Sequence, residues 1–275
     1  MKNNQQTQRA LLDIVILVHG RFDLLYKCIQ AIPLACGDIT YKVILFDNAS
    51  PKKDADEFYR NITDSHIKIV RQSQNYGFPR GCNMAVKHGD APIILFLNSD
   101  VILFPDSIAP LMKDMDDETI GAAGMKLLFP PDVKANKLRD DIRPAGTVQH
   151  VGMMTNLHGN FVHSFIGWSA DNPHVNAVRN VYAVTGAALM TKRKLFQRVG
   201  GFDERYGQGT FEDVDYALKL RELGYNIVVN VNAVGWHYTG ATSETYQIGF
   251  PLNENRMLFM QRWASKLGYT EWVLW

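Results

Sequence analysis

Two adjacent carboxylates, Glu212 and Asp213, open an amphipathic stretch that reads F-E-D-V-D-Y-A-L-K-L-R-E-L-G-Y from Phe211. A carboxylate in the first turn of a helix meets free backbone N–H groups and the positive end of the macrodipole, and both hold it ionised. An ionised, rigidly held carboxylate is what a general base requires. An ordinary helix cap uses the same residue types, so the pair alone does not separate the two roles. A histidine, His237, closes a strand-like run further on. Upstream, four apolar runs each end in polar groups: His19-Gly20-Arg21, Asp47-Asn48, Gln74 through Asn83, and Asn98-Ser99-Asp100. In an open α/β sheet, ligands bind beyond the carboxyl ends of the strands. Four polar ends converging on one edge make a binding crevice.

The elements that must hold these groups alternate from Leu12 onward. Leu12 to Val18 is a continuous β-branched and apolar run, the pattern of a parallel strand buried on both faces. Strands are also expected at Tyr41 to Phe46, Ile67 to Val70 and Pro92 to Leu97. Helices are expected at Asp23 to Ala31, Ala55 to Tyr59 and Gly81 to His88. That βαβαβαβ order predicts a doubly wound α/β sheet. After Asp100 the rhythm changes. Helices are expected at Pro105 to Met115, Lys194 to Val199, Asp213 to Leu223 and Leu252 to Leu267. Strands are expected at Gly121 to Phe129, Val148 to Met154, Val181 to Thr191, Asn226 to Val231 and Ala233 to Trp236. The charged Pro130 to Pro144 stretch reads as a surface loop. The loop from Gly77 to Asn83 opens a helix, where free N–H groups and Arg80 could meet phosphate oxygens.

Composition sets the outer limits. The 275 residues are 46% hydrophobic and 21% charged, enough for a large buried core. A net charge of +1 argues against nucleic acid or an anionic membrane as an electrostatic partner. Cys28, Cys36 and Cys82 are odd in number and lack metal-ligand spacing, which predicts reduced thiols. No apolar run approaches the ~20 residues that span a bilayer, and residues 1–10 are polar. A cytoplasmic protein is the expectation, with peripheral contact at the inner face of the membrane left open.

In order, I-V-I-L-V-H-G-R, I-L-F-D-N-A-S, N-Y-G-F-P-R-G-C-N and L-F-L-N-S-D resemble the nucleotide-sugar motifs of family 2 inverting glycosyltransferases of the GT-A fold. V-Q-H-V-G, His163, T-G-A-A-L-M, V-G-G-F-D-E and F-E-D-V-D resemble the bacterial surface-polysaccharide, rhamnosyltransferase-like branch. The likeness runs from about residue 12 to 240. It implies a single Rossmann-like domain with a mixed sheet flanked by helices. Residues 12–100 would form a nucleotide-sugar half, 101–245 an acceptor half and 246–275 a C-terminal helix. By the same resemblance Asp47 contacts the nucleobase or ribose. Asn75, Gly77, Arg80 and Asn83 meet base and diphosphate. Val18, His19, Arg21 and Gly186 complete the donor contacts. Asn98-Ser99-Asp100 stands where the family has D-x-D, so Asp100 inherits a divalent metal, Mg²⁺ or Mn²⁺, with His237 as a further ligand. Asp213 inherits the general base, with Glu212 beside it.

Asn98 departs from the family's acid, which lowers the charge available to a cation. The implied partners are a UDP- or dTDP-sugar and a glycan or lipid-linked glycan acceptor, with no nucleic acid. His150 and His163 are expected to be hydrogen-bonded structural histidines. A sugar-phosphate nucleotidyltransferase would need a longer Gly- and Arg-rich loop after the first strand than His19-Gly20-Arg21-Phe22 supplies. A dinucleotide oxidoreductase would need a G-x-G-x-x-G, which no strand here precedes. A non-catalytic nucleotide- or glycan-binding module of the same fold stays open because of Asn98.

Overall fold

The computed structural model describes residues 10–131, 136–138, 141–155 and 161–267. Residues 1–9 of the polar N-terminal stretch, residues 132–135 and 139–140 of the charged loop, and His158 lie outside these, as does the chain beyond 267.

The first half follows the expected alternation. Its elements are β1 (Leu12–Val18), α1 (Phe22–Cys36), β2 (Tyr41–Asp47), α2 (Lys52–Arg60), β3 (Ile67–Arg71), α3 (Phe78–Val86) and β4 (Ile93–Leu97). Then come β5 (Val101–Leu103), α4 (Ile108–Asp116) and β6 (Ile120–Leu128). Short strands follow: β7 (Asn136–Leu138), β8 (Asp141–Arg143), β9 (Val148–His150), β10 (Met153–Thr155), β11 (Phe161–His163) and β12 (Arg179–Asn180). The chain closes with β13 (Ala188–Lys192), α5 (Arg193–Arg198), α6 (Glu212–Glu222), β14 (Asn226–His237), α7 (Ala241–Tyr246) and α8 (Leu252–Trp263).

One sheet runs in the order β12-β14-β6-β13-β4-β1-β2-β3, with β5 pairing β14 and β9 pairing β6. Strands β3, β2, β1 and β4 are mutually parallel. β13 is antiparallel to both its neighbours, β4 and β6, which makes the sheet mixed. Alternate residues of each strand point to opposite faces. Val15, Ile44, Phe46 and Phe96 join one buried cluster with residues of α3, α5, α6 and α8. Ile14, Ile16, Leu45 and Leu97 join the other with residues of α1, α2 and α4. This three-layer packing explains why β1 is apolar at nearly every position.

The differences from expectation lie mostly in the second half. Val181 to Thr191 forms a strand only from Ala188. Val148 to Met154 breaks at Gly152 (φ 92°), where a Cβ would lie 2.4 Å from Val181. The two strands expected between Asn226 and Trp236 are one, β14, interrupted by register shifts between Asn226 and Ile227 and between Asn230 and Val234. Helix α7 carried no sequence expectation. The three cysteines are free and buried, as expected, and burial pushes the Cys36 thiol up to about 12. Among the described residues no helix is long and apolar enough to cross a membrane.

Candidate active site

The topology brings distant segments to one edge. β1 and β4 are parallel neighbours, and their carboxyl ends deliver His19 and Asn98-Ser99-Asp100. Because β13 runs the other way, its first residues lie beside the end of β4, with Ala188 opposite Leu97. The Thr185-Gly186-Ala187 turn therefore arrives at the same edge. The last residue of β14, His237, lies opposite Val101 of β5. A cavity of about 510 Å³ opens there. Its lining includes His19, Asn75, Gly77, Asn98, Ser99, Asp100, Gly186, Glu212, Asp213 and His237, ten of the fifteen residues to which the resemblance gave a role.

The other five do not line it. Val18 is buried as the end of β1. Asp47 is buried too. It accepts the Ser50 N–H at 2.8 Å and pairs with Arg71 at 3.1 Å, while its neighbour Asn48 reaches the cavity. Arg21 pairs with Asp23 and donates to the Ala241 carbonyl. Arg80 stacks over the Tyr76 ring and lies 3.7 Å from Glu204. Asn83 clamps the Gly200–Glu204 turn, donating to the Phe202 carbonyl and accepting the Phe202 N–H. The α3 terminus is also less open to phosphate than its spacing suggests. The Phe78 N–H donates to the Gln208 carbonyl at 3.3 Å, and Pro79 has no N–H.

The carboxylate pair sits at the start of α6. Asp213 Oδ2 accepts the Gly186 N–H at 3.0 Å and Oδ1 accepts the Val214 N–H at 2.8 Å. Burial raises the Asp213 carboxyl above the ordinary Asp range, and these two N–H groups oppose the rise. Burial is the largest influence on this carboxyl, and the N–H groups expected to hold it ionised act against it. Glu212 is 6% exposed, and its Oε2 is buried without a hydrogen-bond partner. Burial, then the charge of Asp213, pushes the Glu212 carboxyl well above its usual value. Asp215, a third acid in the same turn, is unavailable. It is held by Lys219 at 2.8 Å and by the Trp263 indole N–H at 2.8 Å.

Across the cavity, His237 Nε2 lies 3.4 Å from Asp100 Oδ1. Gln149 fixes the ring. Its amide N–H donates to the His237 carbonyl, which turns its Oε1 toward His237 Nδ1 at 2.6 Å. Nδ1 must then carry the hydrogen, and Nε2 presents a lone pair to the Asp100 oxygen. Two facing acceptors are reconciled by a proton or by a cation between them. A hard oxygen and an imidazole suit Mg²⁺ or Mn²⁺. Among the described residues no cluster of three or more acidic, thiol or imidazole groups completes a shell. Such an ion would need ligand or water oxygens as well.

His150, fully buried, and His163, half-buried, form a pair with 3.1 Å between their Nδ1 atoms. His150 Nε2 accepts the N–H groups of Gly152 and Thr185. Burial lowers both rings, His163 to about 4, so both are neutral near pH 7. His150 thus anchors the turn that supplies Gly186, while His163 also lines the cavity. Sequence reasoning missed Gln149, whose role depends on a partner 88 residues away. It also missed the cover formed by Thr239, Thr242, Ser243, Ile248 and Phe250, which lie in and around the unforeseen α7.

In a mixed α/β sheet, the carboxyl ends of β1 and β4, where the strand order reverses, are where a ligand cavity is expected, and the cavity lies there. Residues 13–198 match the family described as Glycosyl transferase family 2, and the chain belongs to that family. It is 27% identical over 237 residues to the O-antigen biosynthesis protein RfbC of Myxococcus xanthus, covering 83% of this chain and 17% of that protein. The chain spans 17–25% of the length of the curated relatives it matches. Its fold is similar to GalNAc-T7 solved with UDP, GalNAc and Mn²⁺ (TM-score 0.63, 13% identity, 84% of this chain and 44% of that one). It is also similar to the mannosyltransferase PcManGT of Pyrobaculum calidifontis with GDP-Man and Mn²⁺ (TM-score 0.58, 16% identity, 94% and 70%). These are GT-A glycosyltransferases, and the fold here is GT-A.

Proposed function

We propose that this protein moves a sugar from a nucleoside-diphosphate sugar to a hydroxyl of a growing bacterial surface glycan, with inversion at the anomeric carbon. The observation that carries this reading is one cavity lined by an oriented carboxylate, Asp213, and by the facing Asp100–His237 pair. The O-antigen role in the name of RfbC supports the glycan acceptor. The UDP, GDP-Man and Mn²⁺ named for the structural neighbours support the donor class and the cation.

In this mechanism Asp213 accepts the proton of the acceptor hydroxyl. Its orientation by Gly186 and Val214 avoids a search for the reactive geometry. The hydroxyl oxygen attacks the anomeric carbon from the face opposite the diphosphate, and the bond to the diphosphate breaks. Glu212, beside it in the cavity lining, is placed to bind a hydroxyl of the acceptor. Asp100 and His237 would hold a divalent cation, which when bound neutralises charge on the leaving diphosphate. Asn98 and Ser99 offer neutral hydrogen-bonding groups beside that pair.

The test is a thermal-shift panel of UDP, dTDP and GDP with and without Mn²⁺, followed by nucleoside diphosphate release from the matching sugars. A ligand at 100 times its Kd adds about 2.7 kcal/mol, which raises Tm by roughly 5–10 °C for a chain of this size. No shift with any nucleotide, with or without metal, would refute the reading.

A further inference from the structure

We infer that Asn255 of α8 is a positioning residue for the Glu212–Asp213 pair, holding the turn before α6 in the one conformation that presents both carboxyls to the cavity. The inference rests on the catalytic role proposed above.

The turn is an improbable backbone. Thr210 has φ 79° and Phe211 φ 70°, two successive non-glycine residues in the left-handed region. Each is unfavourable for an L residue with a bulky side chain, and such a pair persists only where surroundings over-determine it. Helix α6 begins at the next residue, Glu212, and Phe211 offers it no side-chain cap.

The surroundings come from one face of α8. Asn255, Phe259 and Trp263 are its buried residues, spaced four apart on one stripe. Asn255 is 3% exposed, although an amide at that depth gains nothing from packing. Its Nδ2 lies 2.6 Å from the Gly209 carbonyl, 2.9 Å from the Tyr206 carbonyl, 3.3 Å from the Thr210 carbonyl and 3.0 Å from Thr210 Oγ1. Two amide hydrogens thus serve a ring of acceptors that only this turn creates. Below it, Phe259 packs on the Phe211 ring at 5.2 Å and the Trp263 indole N–H donates to Asp215. The three α8 residues therefore grip residues 206–215 without lining the cavity themselves. Asn255 itself does not line the cavity.

The decisive variant is Asn255→Leu, which keeps the volume and removes the donor. Leu111→Ala in α4, buried on the other face of the sheet, is the comparison for general destabilisation. For Asn255→Leu the expected result is a fall in kcat of about 10²-fold from a misplaced base. The Kd for the nucleoside diphosphate should stay within about twofold, and amide exchange should accelerate across residues 206–216. Leu111→Ala should lower Tm with kcat retained. Where Asn255→Leu does not fold, Asn255→Ser keeps a small donor and is read by the same split. Unchanged kcat would overturn the inference, as would a loss shared equally by kcat, nucleotide affinity and the Leu111→Ala protein. If the wild-type chain transfers no sugar, the functional reading fails separately. The exchange rates still decide on Asn255: equal rates in the two proteins remove it as the clamp.

Discussion

Replacing Asp213 with Asn tests the catalytic assignment at a single atom. The wild-type carboxylate accepts one N–H on each oxygen, from Gly186 and from Val214. In the amide one oxygen becomes NH₂, so one of these N–H groups loses its acceptor. A hydrogen bond to a charged group contributes about 1.5–3 kcal/mol. Against that loss, the variant buries no charge at a position where burial already disfavours one. The two effects oppose, and the net loss of stability should stay below about 2 kcal/mol, or roughly 8 °C in Tm. Turnover has no such offset, because the amide cannot accept the proton. General-base assistance is worth ~10²–10⁴-fold, so kcat should fall by at least ~10²-fold while the nucleotide Kd changes less than about threefold. Nucleoside diphosphate release, measured with a glycan acceptor under saturating donor, reads kcat; calorimetry reads Kd. Activity of the wild type should also fall on acidification at a higher pH than an ordinary aspartate would give, since its carboxyl is raised and only the ionised form works. Near-normal transfer by Asp213→Asn would move the base elsewhere, with Glu212 next. A stability loss well above 3 kcal/mol with turnover per folded molecule retained would make Asp213 a helix cap.

Glu212→Gln should leave Tm unchanged at about pH 4 and raise it by a growing amount as the pH climbs above that. A carboxyl raised by burial contributes stability that is complete below its unfolded value of about 4.3 and is lost as pH climbs toward its folded value. A pH-independent difference between the two proteins would count against that burial. Gln149→Leu should weaken Mn²⁺ binding about 10–100-fold, measured by titration in the presence of nucleotide, because His237 loses the partner that fixes its ring; unchanged affinity would remove His237 as a ligand. Gly77→Ala should destabilise by more than about 2 kcal/mol in urea. Gly77 has φ 77°, and a Cβ there would lie 2.0 Å from the Gly207 carbonyl oxygen. Wild-type stability would show that the loop is free to shift.

Most of the first half was legible from residue order because its signals are local. Leu12–Val18 is apolar at almost every position since both sheet faces are covered, and each following helix carries its own periodicity. Polar residues at the strand ends gave His19, Asn48 and Asn98-Ser99-Asp100 as one edge, and all of them line the cavity. The second half was harder for a physical reason. β14 reads as two strands because its bulge at Asn230–Val234 breaks the side-chain alternation. Residues 181–187 are apolar enough for a strand, yet they form the turn that carries Gly186 to Asp213.

The sequence by itself determined the layered α/β architecture, the polar edge and the place of Glu212 and Asp213 at a helix start, because these follow from composition and spacing within single elements. Only the tertiary structure decided which groups meet. The antiparallel sense of β13 places Gly186 on Asp213, Gln149 orients His237 toward Asp100, and Asn255 secures the turn before Glu212. It also drew Asp47, Arg80 and Asn83 into contacts that hold the scaffold rather than line the cavity. Hydrogen bonds across tens of residues leave no periodic trace in the chain, and burial, which raises the carboxyls of both Glu212 and Asp213, exists only after packing is complete.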